Sequence, residues 1–196
     1  MGKFACAKSV LDQWPPEATL LIAAYDGNVC RLKEIARGLD VNGRGVNSVL
    51  RQTTFKGMDA LHAAAGGKGK LPICRYLVEE AKMDINKRDT FKGKSMTPLQ
   101  HAVFSGNLPI VRFLLDHGAD LHQEGSLGGS VSYFILCSAN ETDGLSKRRC
   151  EIAKLLLPRG AYVDGKSCHM TPLQLAVHGG HDSTLKILLD HNADVL

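Results

Sequence analysis

The chain reads TPLQHAVFSGNLPIVRFLLDHGAD over residues 97–120 and TPLQLAVHGGHDSTLKILLDHNAD over residues 171–194. The two stretches lie 74 residues apart at every matched position. Self-similarity at a fixed spacing is typical of repeat architectures, in which each unit is one small group of elements stacked on the next. The separation corresponds to two units, so we expect a further copy between these two.

Three weaker copies complete the series. One starts with DALHAA at 59–64, and a looser one opens with LLIAA at 20–24. The third lies between the two clear copies, with its opening at 134–139 and its closing at 152–161. We expect an insert near 141–149 to separate the two halves of this degenerate copy.

The start of each clear copy has the residues of a helix N-terminus. Thr97 precedes Pro98, and Thr171 precedes Pro172. A threonine hydroxyl can accept a hydrogen bond from an unpaired amide of the first turn. Proline suits that turn because its missing N–H would have had no partner there. Each unit is therefore predicted to begin with a short helix.

A second helix follows in each unit. Apolar residues recur at spacings of three and four, which predicts one apolar stripe. The stripe is formed by Val111, Leu114 and Leu115 in one copy and by Leu185, Leu188 and Leu189 in the other.

Glycine and asparagine mark the ends of these helices. Gly106 and Gly180 fall at the turn between the two helices. Gly118, Gly160 and Asn192 fall where the second helix should end, and these residue types tolerate the left-handed conformation found there.

Together these motifs resemble the ankyrin repeat: threonine-proline-leucine, an alanine three positions later, a glycine-asparagine turn, an apolar helix and a final glycine-alanine-aspartate. The resemblance covers roughly residues 18 to 196. It implies an all-α solenoid of about five helix–turn–helix repeats with projecting hairpin fingers. The implied segments are an N-terminal cap over 1–17 and an ankyrin-repeat domain over 18–196, with repeats at about 18–56, 57–94, 95–129, 130–167 and 168–196. The chain is also similar to plant ankyrin proteins that carry a tetratricopeptide segment downstream.

Both ends of the stack carry expectations of their own. Phe4, Val10, Leu11 and Trp14 are predicted to cover the first repeat. No polar capping helix follows Asp194 before Leu196, so we expect either a longer natural chain or a frayed last unit.

Composition places the chain among soluble globular proteins, with 44% hydrophobic residues, 22% charged residues and a net charge of +4. This charge is below the excess of a dedicated nucleic-acid binder. No apolar run is long enough for a membrane span, and the N-terminal residues do not favour a secretory signal. Six cysteines without close pairs favour reduced thiols and a cytoplasmic or nuclear protein. Lipidation of Gly2 or Cys6 stays open.

Catalytic and metal-binding patterns are weak in this chain. His62 and His101 sit on first helices, where we expect them to hydrogen-bond neighbouring backbone; a nucleophile–base pair of Cys137 with His101 is the alternative. Cys150, Cys168 and His169 lack zinc-finger spacing. The glycine-lysine stretch 66–70 lacks the spacing of a phosphate-binding loop. We predict no enzyme activity, no cofactor, no metal and no small-molecule substrate.

The predicted binding surface lies on two fingers. The tetrapeptide TFKG occurs at 54–57 and again at 90–93. The candidate residues, which we call the ridge, are Arg51, Phe55, Lys56, Arg88, Phe91, Lys92 and Lys94. Aromatic residues and arginines are frequent hot spots, so the ridge predicts an acidic peptide or protein partner. In the alternative, the phenylalanines pack on neighbouring fingers and the lysines only keep the tips soluble.

Other segments stay undecided at this level. Lys147-Arg148-Arg149 is a second basic cluster, which fits a solvated loop better than a nuclear signal. The loops Gly43–Thr53 and Gln123–Ser132 are longer than a standard finger.

The sequence thus predicts a protein–protein interaction module that holds its partner through finger tips and the concave face. The alternative is the recognition arm of a larger regulatory protein, such as a chaperone adaptor or a substrate-recruiting subunit of a ubiquitin ligase or kinase.

Overall fold

The computed structural model of the chain describes residues 14–68, 70–91, 95–123, 143–164 and 171–194. These residues form helices joined by turns, and the only β-type pairing among them is an isolated bridge between Phe55 and Met58. The predicted all-α fold class is confirmed. The helices divide into two compact units, Met1–Asp84 and Ile85–Leu196, which are described separately below.

The N-terminal unit is built from short helices that share one apolar core. Its elements are α1 (Pro16–Asp26), α2 (Val29–Leu39), α3 (Val46–Gln52), α4 (Ala60–Gly66), α5 (Leu71–Arg75) and a π-helical turn, Tyr76–Glu80. Helix α1 packs against α2 and α4, and α3 packs against α2. Leu20, Leu32, Leu50, Leu61 and Ile73 are among the fully buried residues of this core.

Helix α3 occupies a segment, Gly43–Thr53, for which the sequence predicts a long loop. The Asp40 carboxylate accepts hydrogen bonds from the backbone amides of Arg44 (2.7 Å) and Gly45 (2.8 Å), which fixes the chain just before α3 begins. Leu50 is the one buried residue of α3. A helix this short carries too little periodicity to be recognised in the sequence.

The helix formed by α5 and the π-helical turn contains one residue more than the second helices of the other copies. This additional residue widens its last turn. The amide of Ala119 donates to the Leu114 carbonyl (2.9 Å), five residues back, and the same kind of bond closes other second helices. In α5 and its extension the matching bond runs from Met83 to Leu77 (3.0 Å), six residues back. The extra residue is accommodated by the π-helical turn Tyr76–Glu80.

The C-terminal unit repeats the same hairpin pattern. Its elements are α6 (Pro98–Phe104), α7 (Leu108–Asp116), α8 (Asp143–Leu156) with a 3₁₀ turn at Leu157–Arg159, α9 (Pro172–His178) and α10 (Asp182–Asp190). Helix α6 packs on α7, α9 packs on α10, and α8 contacts both α7 and α10. Ile110, Leu114, Ile152 and Leu156 are fully buried within this unit.

The predicted caps and turns are confirmed. Thr97 accepts the Gln100 amide, while the Gln100 side chain accepts the Thr97 amide (2.9 Å), a complete capping box. Thr171 and Gln174 make the same pair of bonds at α9. The left-handed conformation predicted at the helix ends is present at Gly106, Gly180, Gly118, Gly160 and Asn192.

The apolar stripe of the second helices needs one correction. In α10 the buried residues are Thr184, Ile187 and Leu188, whereas Leu189 is 45% exposed and Leu185 is half-buried. In α7, likewise, Leu115 is half-buried, and the buried residues are Ile110, Val111, Phe113 and Leu114. In both helices the buried stripe therefore starts one position earlier than predicted.

The predicted insert of the degenerate copy is also corrected. Residues from Asp143 onward are helical, so the basic cluster lies on α8 and not in a loop. Lys147 and Arg148 are exposed on that helix. The second helix of this copy begins earlier than its counterparts, which is why its first residues resemble an insertion in the sequence.

Trp14, the described residue of the predicted cap, is 49% exposed, so its side chain is not buried against the first repeat as predicted. Several predictions concern residues outside the described part of the chain: Phe4, Val10 and Leu11 of the cap, Gly2, Cys6, Lys92, Lys94, the loop from residue 124, the opening at 134–139, Cys137, Cys168 and His169.

Candidate partner-binding surface

The tip of the first finger is a two-residue hairpin. Phe55 donates its amide to the Met58 carbonyl (2.9 Å), and Met58 donates back to Phe55 (3.1 Å). The two residues between them, Lys56 and Gly57, both have positive φ, at 52° and 83°. That combination is the turn whose twist matches a hairpin, and a lysine is an unusual residue for its first position.

This turn places a cation beside an aromatic ring. The Lys56 Nζ lies 5.4 Å from the centroid of the Phe55 ring, within cation–π range. Lys56 is exposed and Phe55 is half-buried. The first finger thus presents a positive charge backed by an apolar ring, as its sequence suggested.

Arg51, the third candidate on this finger, has a structural contact. Its Nη1 donates to the carbonyl oxygen of Ala81 (2.7 Å), just after the π-helical turn. Asn47, one turn earlier on α3, donates to the Glu80 carbonyl (3.2 Å) and accepts from the Tyr76 hydroxyl (2.9 Å). Helix α3 is therefore fixed against the end of the neighbouring hairpin, and part of the Arg51 guanidinium is used to hold it.

The second finger is organised by a buried carboxylate. Asp89 is 1% exposed; its Oδ1 accepts the Met96 amide (2.8 Å), and its Oδ2 lies 2.7 Å from His101 Nε2. Its own amide also donates to the Met96 carbonyl (2.9 Å). Arg88 is exposed and Phe91 is half-buried. The Asp89 carboxylate is thus held in the interior, while Arg88 is exposed to solvent.

The two first-helix histidines each contact a carboxylate, a partner that the sequence did not predict. His101 Nε2 lies 2.7 Å from Asp89 Oδ2, and His62 Nδ1 lies 2.7 Å from Asp59 Oδ1. Hydrogen bonding of these histidines to neighbouring backbone stays a prediction. Asp59 also caps α4 by accepting the amides of Leu61 (3.0 Å) and His62 (3.2 Å). Asp59 and His62 are each 1% exposed. Such buried pairs hold the base of a finger to the helix that follows it.

Sequence reasoning missed an exposed aromatic position that two first helices share. Tyr25 and Phe104 are each 48% exposed, in the last turns of α1 and α6 respectively. Each stands two positions before the glycine of the turn, Gly27 or Gly106. Aligning the copies on that glycine would have revealed the shared position.

The described cysteines do not form a reactive or metal-binding group. Cys30, Cys74 and Cys150 are free thiols, and only Cys30 is exposed. Burial raises the pKa of the Cys74 thiol to about 12, which keeps it protonated. The described residues contain no cluster of His, Cys, Asp and Glu suited to hold a metal ion. None of the helices seen in these ranges is both long and apolar enough to cross a membrane.

Comparison with known proteins decides the family. The family model described as "Ankyrin repeats (3 copies)" matches residues 20–124 of the chain. A second family model, "Ankyrin repeat", matches residues 168–196. The chain belongs to the ankyrin repeat family. Ankyrin repeats are generally protein–protein interaction modules and are typically not enzymes.

Three relatives place these ankyrin repeats in longer proteins. An ankyrin repeat protein of Rickettsia felis is 29% identical over 140 residues, covering 66% of this chain and 57% of that protein. The human transient receptor potential cation channel subfamily V member 5 is 35% identical over 78 residues, covering 40% of this chain and 10% of the channel. The rat ankyrin repeat and SAM domain-containing protein 6 is 30% identical over 177 residues, covering 88% of this chain and 15% of that protein. The chain thus spans between 10% and 57% of the length of these relatives.

Proposed function

We propose that the chain binds a partner protein through its finger tips, and that the partner presents an acidic segment to the ridge. The observation that carries this proposal is the hairpin at Phe55–Met58, which holds the Lys56 cation 5.4 Å from the Phe55 ring centroid in an exposed position. A tight turn fixes the backbone that carries both side chains before binding, which lowers the entropic cost of association.

The second finger supports the same preference for negative charge. Arg88 is exposed, and the nearby Asp89 carboxylate is buried against Met96 and His101. A partner carboxylate can therefore reach Arg88 from the solvent side. Tyr25 and Phe104 offer further aromatic contacts at the ends of first helices.

Photo-cross-linking tests this proposal directly. A benzophenone amino acid replaces Phe55 in one protein and Tyr162 in a control, since Tyr162 is also an exposed aromatic residue, at 55%. Both proteins are irradiated in an extract of the source cells, and the adducts are mapped by mass spectrometry. We expect position 55 to cross-link to an acidic stretch of a partner, and Lys56→Ala in the same protein to reduce the yield several-fold. Equal adducts from both positions, or adducts on basic stretches only, would contradict the proposal.

A second proposal is that these repeats form the recognition arm of a larger regulatory protein, such as a chaperone adaptor or a substrate-recruiting subunit. It is supported by the relatives, in which the matched stretch is a small part of the chain, down to 10%. Sequencing the complete transcript and capturing partners with the full protein tests it. We place the protein in the cytosol or nucleus, since the three described cysteines are free thiols.

A further inference from the structure

A cavity of about 360 Å³ opens within the N-terminal unit, beside the unpredicted helix α3. Its lining includes Glu17, Leu39, Asp40, Arg44, Val49 and Gln52. Ligand sites in proteins usually have volumes of about 300–1,000 Å³, so this cavity is at the small end of that range. It has room for one long side chain with a little flanking backbone.

The wall of the cavity is held in place by its own hydrogen bonds. Both oxygens of Asp40 accept backbone amides, from Arg44 (2.7 Å) and Gly45 (2.8 Å). Arg44 Nη1 in turn donates to Gln52 Oε1 (3.1 Å), across to the last turn of α3. The segment between α2 and α3 is therefore shaped before any ligand arrives, which favours binding.

The charges of the lining favour a cation. Two carboxylates, Asp40 and Glu17, face one guanidinium, that of Arg44. The Asp40 oxygens already accept the two amides described above. Glu17, in the first turn of α1, has no hydrogen bond or ion pair with any residue in the described ranges. Its carboxylate is thus available for an incoming positive charge.

The mostly polar lining of the cavity also includes two apolar side chains. Leu39 at the end of α2 and Val49 of α3 are both half-buried. Long basic side chains combine a charged head with an aliphatic stem, and they bury the stem along apolar surface. Leu39 and Val49 line the same cavity as the Glu17 carboxylate, and this set of side chains matches that combination.

We propose that this cavity binds a lysine or arginine side chain of an extended peptide segment. Glu17 pairs with the charged head, Leu39 and Val49 contact the stem, and Arg44, already positioned by Gln52, donates to a peptide carbonyl. The site adjoins the first finger, since Gln52, Thr53 and Thr54 line it between Arg51 and Phe55 of the ridge. It has the opposite charge preference and does not rest on the proposed function.

An NMR titration of the full chain tests the site with short blocked peptides. The probe is acetyl-Ala-Lys-Ala-amide, and its control replaces lysine by norleucine, which keeps the stem and removes the charge. We expect saturable shifts of the backbone amides at residues 40–45 and 52–54, with a dissociation constant on the order of 1 mM. The norleucine peptide should bind about tenfold more weakly, because the charged hydrogen bond is lost.

Two protein variants complete the test. Glu17→Gln should weaken binding of the lysine peptide by the same factor of about ten and leave the norleucine peptide unaffected. Glu34→Gln, at an exposed carboxylate of α2 away from the cavity lining, should change neither. Equal binding of both peptides, unchanged binding to Glu17→Gln, or shifts confined to other residues would overturn the proposal. None of these outcomes depends on whether the ridge binds an acidic partner.

Discussion

His101 Nε2 lies 2.7 Å from Oδ2 of Asp89, a residue twelve positions earlier in the chain and at the base of the second finger. The same carboxylate accepts the Met96 amide through its other oxygen. One buried side chain therefore joins the two sides of the finger base to the helix that follows. Arg88, the residue before it, is exposed to solvent.

This carboxylate should be important for stability. Asp89→Ala leaves the Met96 amide and the His101 ring without their buried acceptor, so we expect the free energy of unfolding to fall by about 2–3 kcal/mol. Urea unfolding monitored by circular dichroism measures the change. Asp190→Ala, at an exposed position in the last turn of α10, is the control and should change it by less than about 0.5 kcal/mol. Similar losses in both variants would show that Asp89 has no special role.

Two glycines of the N-terminal unit should respond to alanine in opposite ways. An added Cβ at Gly67 would overlap the Tyr25 carbonyl oxygen and lie 2.9 Å from the Tyr25 Cα, both backbone atoms that cannot turn aside. An added Cβ at Gly38, on α2, meets nothing within 4 Å. We expect Gly67→Ala to lower the thermal midpoint, at a cost of about 1–3 kcal/mol. We expect Gly38→Ala to raise it, by about 0.5–1 kcal/mol, since alanine favours the helix. The reverse order of midpoints would contradict the close packing of residues 66–68 on α1.

The hairpin tip should become more stable when Lys56 is replaced by asparagine. Lys56 has a φ of 52°, a region that asparagine occupies more readily than other residues with a side chain. We expect Lys56→Asn to stabilise the fold by about 0.4–1 kcal/mol, measured by thermal unfolding. Lys56→Ala removes the same charge but has no preference for a positive φ, so it should not stabilise the fold. Equal midpoints for the two variants would argue against the turn described here.

The pH dependence of stability should reveal the buried thiol. Burial raises the pKa of Cys74 from 9.0 to about 12, so the folded chain keeps a proton that the unfolded chain loses. The free energy of unfolding should therefore fall as pH rises from about 9 towards 12, by up to about 1.4 kcal/mol per pH unit, with no contribution below that window. Cys74→Val should remove this part of the slope, and valine already occupies the matching position 111. Cys30→Val, at an exposed thiol, should leave the slope unchanged; identical curves for the native chain and Cys74→Val would refute the assignment.

The sequence predicted the elements whose signals are local and repeated. Thr97 with Gln100, the left-handed Gly118 and the apolar second helices follow from short-range rules that several copies share. It failed where a contact between distant residues decides the structure. Helix α3 is held by bonds from Arg51 and Asn47 to carbonyls about thirty residues away, and no short window contains that information.

For the candidate site, too, the sequence indicated the local features and missed the contacts between distant residues. The repeated TFKG stretch marked the finger tips, and the hairpin at Phe55 fits that interpretation. The structural roles of Asp89 and Arg51 were not foreseen. The buried Asp89 carboxylate holds the base of the second finger, and part of the Arg51 guanidinium donates to the Ala81 carbonyl. Whether the ridge binds a partner stays a prediction.

The widened turn at Tyr76–Glu80 affects how such chains should be aligned and redesigned. Because the additional residue is absorbed inside the helix, Met83 reaches the same kind of bond as Ala119. Suppose that this repeat is aligned with the others and the gap is placed in the loop after the helix. The residues of the last helical turn would then be shifted by one, and the wrong residues would be taken as facing inward. Consensus engineering at this position should therefore either keep the bulge together with its inserted residue or remove both.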